Sequence, residues 1–267
     1  MTATSEAKIN EPILLREDAH GVATLTLNRP GARNALSRDM IGTMQAELDA
    51  IRDDKSVRVV VIAATGPAFC AGHDMKELRA NPTQEYFDAT FKASSTMMMS
   101  MIRLPQPVIA RVQGTATAAG LQMVATCDLA VASSEATFAT PGVNIGLFCS
   151  TPMVPLTRNV GRKAAMEMLL LGNDVPAERA EELGIVNRVV APDALDHAVA
   201  EITAKITSMS PLTCAIGKEA FYRQLDMDIE AAYAYAADVM ARNMMARDAE
   251  EGLDAFLEKR RPVWRGE

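Results

Sequence analysis

Two stretches decide the fold of this chain: AFCAGHDMKEL at residues 68–78 and QGTATAAGLQMVATCD at residues 113–128. Each places small residues and a glycine directly before a predicted helix. In such a turn the first backbone N–H groups of the helix have no acceptor within it and point outward, where they can hold an anionic oxygen. If the two turns face each other, their main-chain N–H groups form an oxyanion hole.

Strands and helices alternate around these two stretches. Residues 37–53 predict a helix, because Ser37 is a suitable N-cap and apolar side chains recur with helical spacing. Residues 83–103 predict a second helix. Apolar or alternating runs predict strands at 22–27, 57–63, 107–112, 129–132 and 137–140. This alternation indicates an α/β core.

Beyond Thr151 the pattern becomes almost entirely helical. One short strand is predicted at 186–190, and helices are predicted at 161–171, 177–183, 192–208, 211–224, 228–248 and 250–260. The sequence shows no repeat, low-complexity tract or flexible linker. We therefore predict a single domain over residues 1–267, with a core to about residue 200 and a helical region over about 201–267.

Composition excludes several classes of protein. The net charge of −7 and the isoelectric point of 5.2 argue against a protein that binds nucleic acid or a membrane surface. The four cysteines are widely spaced and the chain has only three histidines, so we expect free thiols and no metal site. The first residues contain no apolar leader, and no run of 18 apolar residues follows. These features predict a cytosolic protein.

Four motifs in a fixed order resemble the crotonase, or enoyl-CoA hydratase/isomerase, superfamily. They are LNRPGARNAL at 27–36, the stretch at 68–78, the longer segment at 113–147, and FLEKRRPVW at 256–264. Within that superfamily the chain is most similar to the enoyl-CoA hydratase domain-containing branch. The resemblance implies a spiral of ββα turns followed by a helical C-terminal region through which the subunits trimerise.

The resemblance also implies the ligand and the donors of the oxyanion hole. The ligand is an acyl- or enoyl-CoA thioester, with CoA as part of the substrate and no permanently bound cofactor. The assembly is a homotrimer or a dimer of trimers. The backbone N–H groups of His73 and Ala119 match the two family donors, whereas the His73 imidazole either lines the pocket or transfers a proton. Loss of one such donor lowers a rate by roughly 10²–10³.

Further positions match family residues that contact CoA. Ala32 and Arg33 lie in the turn after the first strand. The glycine turn contributes Ala71, Asp74, Met75 and Lys76. Lys259, in the last helix, matches a family lysine that can reach a CoA phosphate, in some members across a subunit boundary. Each also has an interpretation without a ligand. Asp74 fits a helix N-cap, Arg29 and Arg33 fit a solvated turn, and Lys259 fits a solvated helix face.

The chain departs from the family at its catalytic carboxylates. Gln122 and Gly142 replace the two glutamates that hold and split water in hydratases, and Ser150 stands where some members place another acid. Glutamine orients water but has no titratable proton at neutral pH, and glycine does neither. Each lost acid/base contributes roughly 10²–10⁴ in rate, so hydration by a glutamate pair is not expected.

Other side chains near the second position leave alternatives open. Cys149 is either a nucleophile with a lowered pKa or a packing residue. Leu147, Phe148, Met97 and Met101 suggest an apolar acyl pocket. The sequence thus supports three functions: an enoyl-CoA hydratase-like lyase or isomerase using the backbone oxyanion hole, a non-catalytic acyl-CoA-binding protein, and a trimeric scaffold.

Overall fold

The computed structural model describes residues 11–267, which form two sheets surrounded by helices. Six strands make the larger sheet in the order β1-β2-β3-β5-β7-β10. They are β1 (Leu14–Ala19), β2 (Val22–Leu27), β3 (Val59–Ala64), β5 (Val108–Val112), β7 (Leu129–Ser133) and β10 (Arg188–Val190). Only the β1–β2 pair is antiparallel in this sheet.

The smaller sheet has the order β4-β6-β8-β9 and consists of strands of two or three residues. They are β4 (Ala68–Cys70), β6 (Thr115–Thr117), β8 (Thr137–Ala139) and β9 (Val175–Pro176). In three successive turns the chain passes from a strand of the larger sheet to a strand of the smaller sheet and then to a helix. The predicted spiral of ββα turns is confirmed.

Helices complete these turns and cover the sheets. They are α1 (Arg38–Arg52), α2 (Met75–Ala80), α3 (Gln84–Arg103), α4 (Ala119–Thr126), α5 (Met153–Asn159), α6 (Arg162–Leu171), α7 (Ala177–Leu183) and α8 (Leu195–Thr207). As predicted, Ser37 Oγ accepts a hydrogen bond from Met40 N at the start of α1. The side chains of Ile41, Leu48 and their neighbours on that face are buried.

The central strands of the larger sheet, β3, β5 and β7, are buried on both faces. All six residues of β3 are buried, as expected for a strand inside a largely parallel sheet. One face contributes to the main core with α1, α3 and α4. The other face packs on α8, which spans the boundary that we expected near residue 200. The helical region proper consists of α9 (Pro211–Gln224), α10 (Ile229–Met244) and α11 (Arg247–Glu258).

A buried lysine joins this helical region to the core. Lys218 of α9 donates to the carbonyl oxygens of Met101 and Gln106, at 2.9 and 3.0 Å, and lies 2.7 Å from the Asp128 carboxylate. Tyr222, one turn later, donates to the other Asp128 oxygen at 2.8 Å. Because each polar group has a partner, the lysine charge is compensated inside the protein.

Candidate active site

The first turn of the candidate site lies between β4 and α2. Gly72 has a φ of +94°, a conformation that favours glycine. Leu36 N donates to the Gly72 carbonyl at 2.8 Å, and Asp74 N donates to the Leu36 carbonyl at 3.0 Å. Gly72 and Asp74, on either side of His73, both hydrogen-bond to Leu36, as in a parallel β-bridge. The N–H of His73 therefore points away from Leu36. It finds no acceptor within residues 11–267.

The second turn lies at the start of α4. Ala119 is the first residue of this helix, and no side chain caps the helix. Its N–H is therefore one of the free donors of a helix start. Ala118, directly before it, has φ 50° and ψ −116°, a strained conformation for a residue with a Cβ. The Ala118 N–H donates to the Ala139 carbonyl at 2.9 Å, which holds the turn against β8.

Close backbone packing brings the two turns together. A Cβ placed on Gly72 would lie 3.0 Å from Ala118 Cβ and 3.4 Å from Ala119 N. A Cβ placed on Gly120 would lie 2.0 Å from the Cys70 carbonyl oxygen. Only glycine permits these approaches at both positions. The residue before His73 thus lies against the amide of Ala119, and we refer to these two turns as the amide side of the site.

The His73 side chain is half-buried. Its ring packs edge-on against Phe91 of α3, with ring centroids 5.1 Å apart. Burial lowers the pKa of this imidazole to about 4, so the ring is neutral at pH 7. In the described part of the chain its Nε2 atom is buried and has no hydrogen-bond partner.

Asp74 performs the capping role that the residues alone suggested. Its carboxylate accepts hydrogen bonds from Lys76 N and Glu77 N, both at 3.2 Å, at the start of α2. Arg29 donates to the same carboxylate at 3.0 Å and to the Ala35 carbonyl at 2.7 Å. Burial opposes ionisation of Asp74, but these hydrogen bonds outweigh it and lower its pKa. Arg29 is thus committed to an ion pair within the protein.

The other positions matched to CoA contacts are distributed unevenly. Ala32 and Arg33 end a short turn that is tied to the site, because Ala71 N donates to the Arg33 carbonyl at 3.0 Å. Arg33, Met75 and Lys76 are exposed beside the amide side. Lys259 follows α11, which contacts α9 and α10, so the contacts of a single described chain do not bring it to the site.

Gln122 lies one turn into α4 and is only 4% exposed. Its side-chain Oε1 atom is buried and has no partner among residues 11–267. A buried amide oxygen without a hydrogen bond is unfavourable, by about 1–3 kcal/mol. The position matched to the first family glutamate therefore keeps a polar side chain inside the protein.

Gly142 is the second residue of a segment, residues 141–152, that we refer to as the loop side of the site. A Cβ on Gly142 would lie 2.7 Å from the Leu147 carbonyl oxygen and 2.9 Å from Cys149 Sγ. The Leu147 N–H also donates to the Gly142 carbonyl at 2.9 Å. The space that a glutamate side chain would enter is occupied by this loop.

The remaining side chains of the loop side are poorly placed for chemistry. Burial raises the pKa of Cys149, which argues against a reactive thiolate. Ser150 is exposed, and its hydroxyl donates to the Phe148 carbonyl at 3.3 Å. Leu147 is 52% exposed, and Phe148 is 44% exposed.

The apolar residues that we expected around an acyl pocket do not lie together. Leu147 and Phe148 are on the surface, whereas Met97 and Met101 are at most 1% exposed and belong to the main core. Adjustable methionine side chains fill that core instead.

Two residues of α3 were missed: Phe91, which contacts His73, and the buried Ser94. The sequence gives little signal for Ser94, because the buried face of α3 carries the hydroxyls of Thr90 and Ser100 as well.

No helix among residues 11–267 has the length and apolar character needed to cross a membrane. The same residues contain no group of three or more His, Cys, Asp or Glu side chains arranged to hold a metal ion.

Comparisons with known proteins agree with this architecture. The enoyl-CoA hydratase/isomerase family profile matches residues 17–267. An enoyl-CoA hydratase structure from Mycobacterium smegmatis is 56% identical, has a TM-score of 0.93, and matches 95% of this chain and 99% of that chain. The structure of human enoyl-CoA hydratase domain-containing protein 3 is 42% identical, has a TM-score of 0.93, and matches 95% of this chain and 100% of that chain.

A curated relative corrects one expectation. The rat enoyl-CoA hydratase domain-containing protein 3 is 43% identical over 244 residues, 91% of this chain and 81% of that protein. It and the other vertebrate relatives of this type are named mitochondrial, so the comparison contradicts the predicted cytosolic location. That prediction rested on the composition of the first residues alone, which is not sufficient to assign a location. The fold and the sequence agree with these relatives over most of the chain. The chain belongs to the enoyl-CoA hydratase/isomerase family of the crotonase superfamily.

Proposed function

We propose that the protein binds acyl- or enoyl-CoA thioesters and stabilises an enolate of the thioester through the N–H groups of His73 and Ala119. The observation that carries this proposal is the contact between the two turns, in which the Gly72 position lies against Ala119 N. Two adjacent free N–H groups match a carbonyl oxygen that gains negative charge. Arg33 and Lys76, exposed beside the amide side, provide positive charge for the CoA phosphates.

The proposed chemistry is that of an enoyl-CoA hydratase-like lyase or isomerase without a glutamate pair. The neutral His73 imidazole and the Gln122 amide can orient a substrate or water, but neither is an acid or base of the required strength at pH 7. Proton transfer then relies on substrate or water. We expect ordinary hydration of crotonyl-CoA to be slow.

Ala119→Pro tests the role of the amide side. Proline removes the N–H but is tolerated at the first position of a helix. With turnover of an acyl-CoA panel as the readout, this variant should lose roughly 10²–10³ in rate. The matched control is Arg162→Pro, which changes the exposed first residue of α6. Equal turnover in the two variants would contradict the proposal.

Infrared spectroscopy tests the same contact without requiring turnover. The thioester C=O stretch of a ¹³C-labelled acyl-CoA should shift to lower frequency on binding, because two donors polarise the carbonyl. The shift should decrease in Ala119→Pro and persist in Arg162→Pro. A bound thioester with an unshifted carbonyl would exclude an oxyanion hole.

A non-catalytic acyl-CoA-binding protein is the second candidate. The observation in its favour is the loop side, where protein atoms occupy the space beyond Gly142. Binding measured by calorimetry together with turnover no higher than that of Ala119→Pro would select this function over the lyase.

We also propose that the chain assembles as a trimer through its helical region. Several large apolar side chains of α9–α11 are more than half exposed: Phe221, Ile229, Tyr233, Met240, Phe256 and Leu257. Extended apolar surface of this kind is typical of an interface. Lys259, two residues after Leu257, would then lie beside a neighbouring subunit. Sedimentation should give a trimer or hexamer for the wild type and a smaller species for Phe256→Asp.

A further inference from the structure

A pair of charged side chains borders the amide side. Arg29 Nη2 donates to the Asp74 carboxylate at 3.0 Å, and the two side chains are only 24% and 15% exposed. Asp74 directly follows His73, whose N–H is one of the two donors of the proposed oxyanion hole. A carboxylate therefore stands one residue away from the group that would receive negative charge from a bound thioester.

An uncompensated carboxylate at this place would oppose an enolate. Like charges repel one another, and partly buried charges are screened less by water than exposed ones. Burial opposes ionisation of Asp74, but its hydrogen bonds outweigh that effect and lower its pKa, so the carboxylate is ionised at pH 7. The cap itself does not require a charge, because the neutral side chains of Ser37 and Thr83 cap α1 and α3.

The Arg29 guanidinium is held in place from both ends. Its Nη1 donates to the Ala35 carbonyl at 2.7 Å, while Nη2 is bound to Asp74. The backbone N–H of Arg29 donates to Asn34 Oδ1 at 2.8 Å. Asn34 is fully buried, and its Nδ2 donates to two backbone carbonyls, both at 2.8 Å. The positive charge is thus fixed beside Asp74 by a network that includes the interior of the protein.

We propose that Arg29 is a positioning residue of the oxyanion hole, which compensates the charge of Asp74 and so allows negative charge to develop at the His73 N–H. This inference rests on the proposed binding of a thioester at the two amides. Because both terminal nitrogens of Arg29 already have acceptors in the protein, the guanidinium acts through Asp74 and not as a ligand of a CoA phosphate.

Infrared spectroscopy of bound ¹³C-labelled butyryl-CoA separates charge compensation from a purely structural ion pair. Arg29→Met leaves the Asp74 carboxylate uncompensated, so the shift of the thioester C=O stretch should decrease. Asp74→Asn removes the negative charge and keeps a residue favoured at the N-cap, so the shift should increase. An ion pair that only holds the turn in place would lower the shift in both variants, and that result would overturn the proposal.

The double variant Arg29→Met and Asp74→Asn gives a second measurement of the same effect. Neither charge remains in it, so it should recover most of the shift that Arg29→Met loses. A shift as low as that of Arg29→Met would overturn charge compensation. If the wild type shows a shift that Arg29→Met leaves intact, the role of Arg29 is wrong while the proposed function stands. If the wild type shows no shift, both proposals are wrong.

Turnover of the acyl-CoA panel measures the consequence for catalysis. Arg29→Met should lower kcat roughly 10-fold with a smaller change in KM, because the negative charge develops in the transition state. Arg29→Lys keeps the positive charge and should retain most of kcat, which provides a test even if Arg29→Met does not fold. A rise in KM alone would mean that Arg29 binds CoA directly, which would overturn the proposal.

Arg16→Met is the matched control for both measurements. Arg16 lies on the edge strand β1 and its side chain is also 24% exposed. It forms ion pairs with Asp18, Glu47 and Asp54. Its replacement therefore removes an equally exposed, paired arginine and should leave the C=O shift and kcat unchanged. Equal losses in Arg16→Met and Arg29→Met would show a general effect of lost ion pairs and would overturn the role of Arg29.

Discussion

The two sides of the candidate site are built in opposite ways. On the amide side, Gly72 and Gly120 allow two backbones to approach until their turns touch, which leaves two N–H groups free. On the loop side, Gly142 also allows a close approach, but there the chain folds back and the Leu147 carbonyl and Cys149 Sγ occupy the space. Glycine therefore leaves free N–H groups on the amide side, whereas on the loop side it allows the protein itself to fill the space.

This difference separates two functions that hydratases of the family combine. Recognition of a thioester carbonyl needs only main-chain donors, so it survives changes of side chain such as those at His73 and Ala119. Proton transfer needs particular side chains and room for them. In the function proposed above, this chain retains the first and lacks the groups for the second.

The largest expected effect comes from Gly120→Ala. The new Cβ would meet the Cys70 carbonyl oxygen at 2.0 Å, and both residues are buried in β4 and α4. We expect a loss of about 3 kcal/mol in the free energy of unfolding, at the upper end for overpacking. Urea unfolding measures it. Gly42→Ala in α1, where a Cβ has open space, should be stabilising. Similar free energies of unfolding for the two variants would show that the close approach at Gly120 is not required.

The His73 imidazole predicts a pH dependence of stability. Its pKa in the folded protein is about 4, below the ordinary 6.5, because of burial. Folding therefore favours the neutral imidazole. Its contribution to the free energy of unfolding is fully present above pH 6.5 and is lost as the pH falls towards 4. Between pH 7.5 and 5 the wild type should lose about 2 kcal/mol more than His73→Leu.

Urea unfolding at several pH values measures this difference. His197→Leu is the control, because that side chain is exposed on α8. A wild type and a His73→Leu variant with parallel pH profiles would show that the imidazole is not enclosed.

The double variant Gly142→Glu and Gln122→Glu places a glutamate at both positions matched to the family pair and tests whether hydration is restored. We expect no gain in crotonyl-CoA hydration and a loss of about 1–2 kcal/mol in stability, because the loop side has no room for the side chain at 142. Hydration kinetics and urea unfolding measure the two effects. Gln122→Glu alone is the control for the buried charge. A gain of 10²-fold or more in hydration by the double variant would show that the loop side opens.

The smallest effect is expected for Ala118→Gly. Ala118 has a positive φ, so glycine should relieve strain and stabilise the protein by about 1 kcal/mol. Ala136→Gly, at a buried position without this conformation, should be destabilising. Thermal unfolding compares them. A destabilising Ala118→Gly would mean that the turn is not strained.

Much of the fold is predictable because its information is local. Strands of five or six residues such as β2 and β3 carry the expected apolar patterns, and α1 begins at the predicted cap. Strands β4, β6 and β9 have two or three residues and were missed, since pairing with distant segments defines them. Strand β1 and helix α5 were also missed.

The site is only partly predictable for the same reason. Glycine turns before helices are visible in the sequence, and so is the N-cap role of Asp74. The occupied space beyond Gly142 depends on a loop that folds back over five residues. The partnerless hydroxyl of Ser94 depends on which face of α3 is buried, and Met97 and Met101 depend on the depth of the core.

The buried Lys218 has a consequence for the order of assembly. Among residues 11–267 its ammonium group has its partners in the spiral, the carbonyl oxygens of Met101 and Gln106 and the carboxylate of Asp128. Before these are in place, the lysine gains more from remaining in water than from entering an apolar environment. The helices that carry the exposed apolar surface therefore gain this contact only from a complete spiral beneath them.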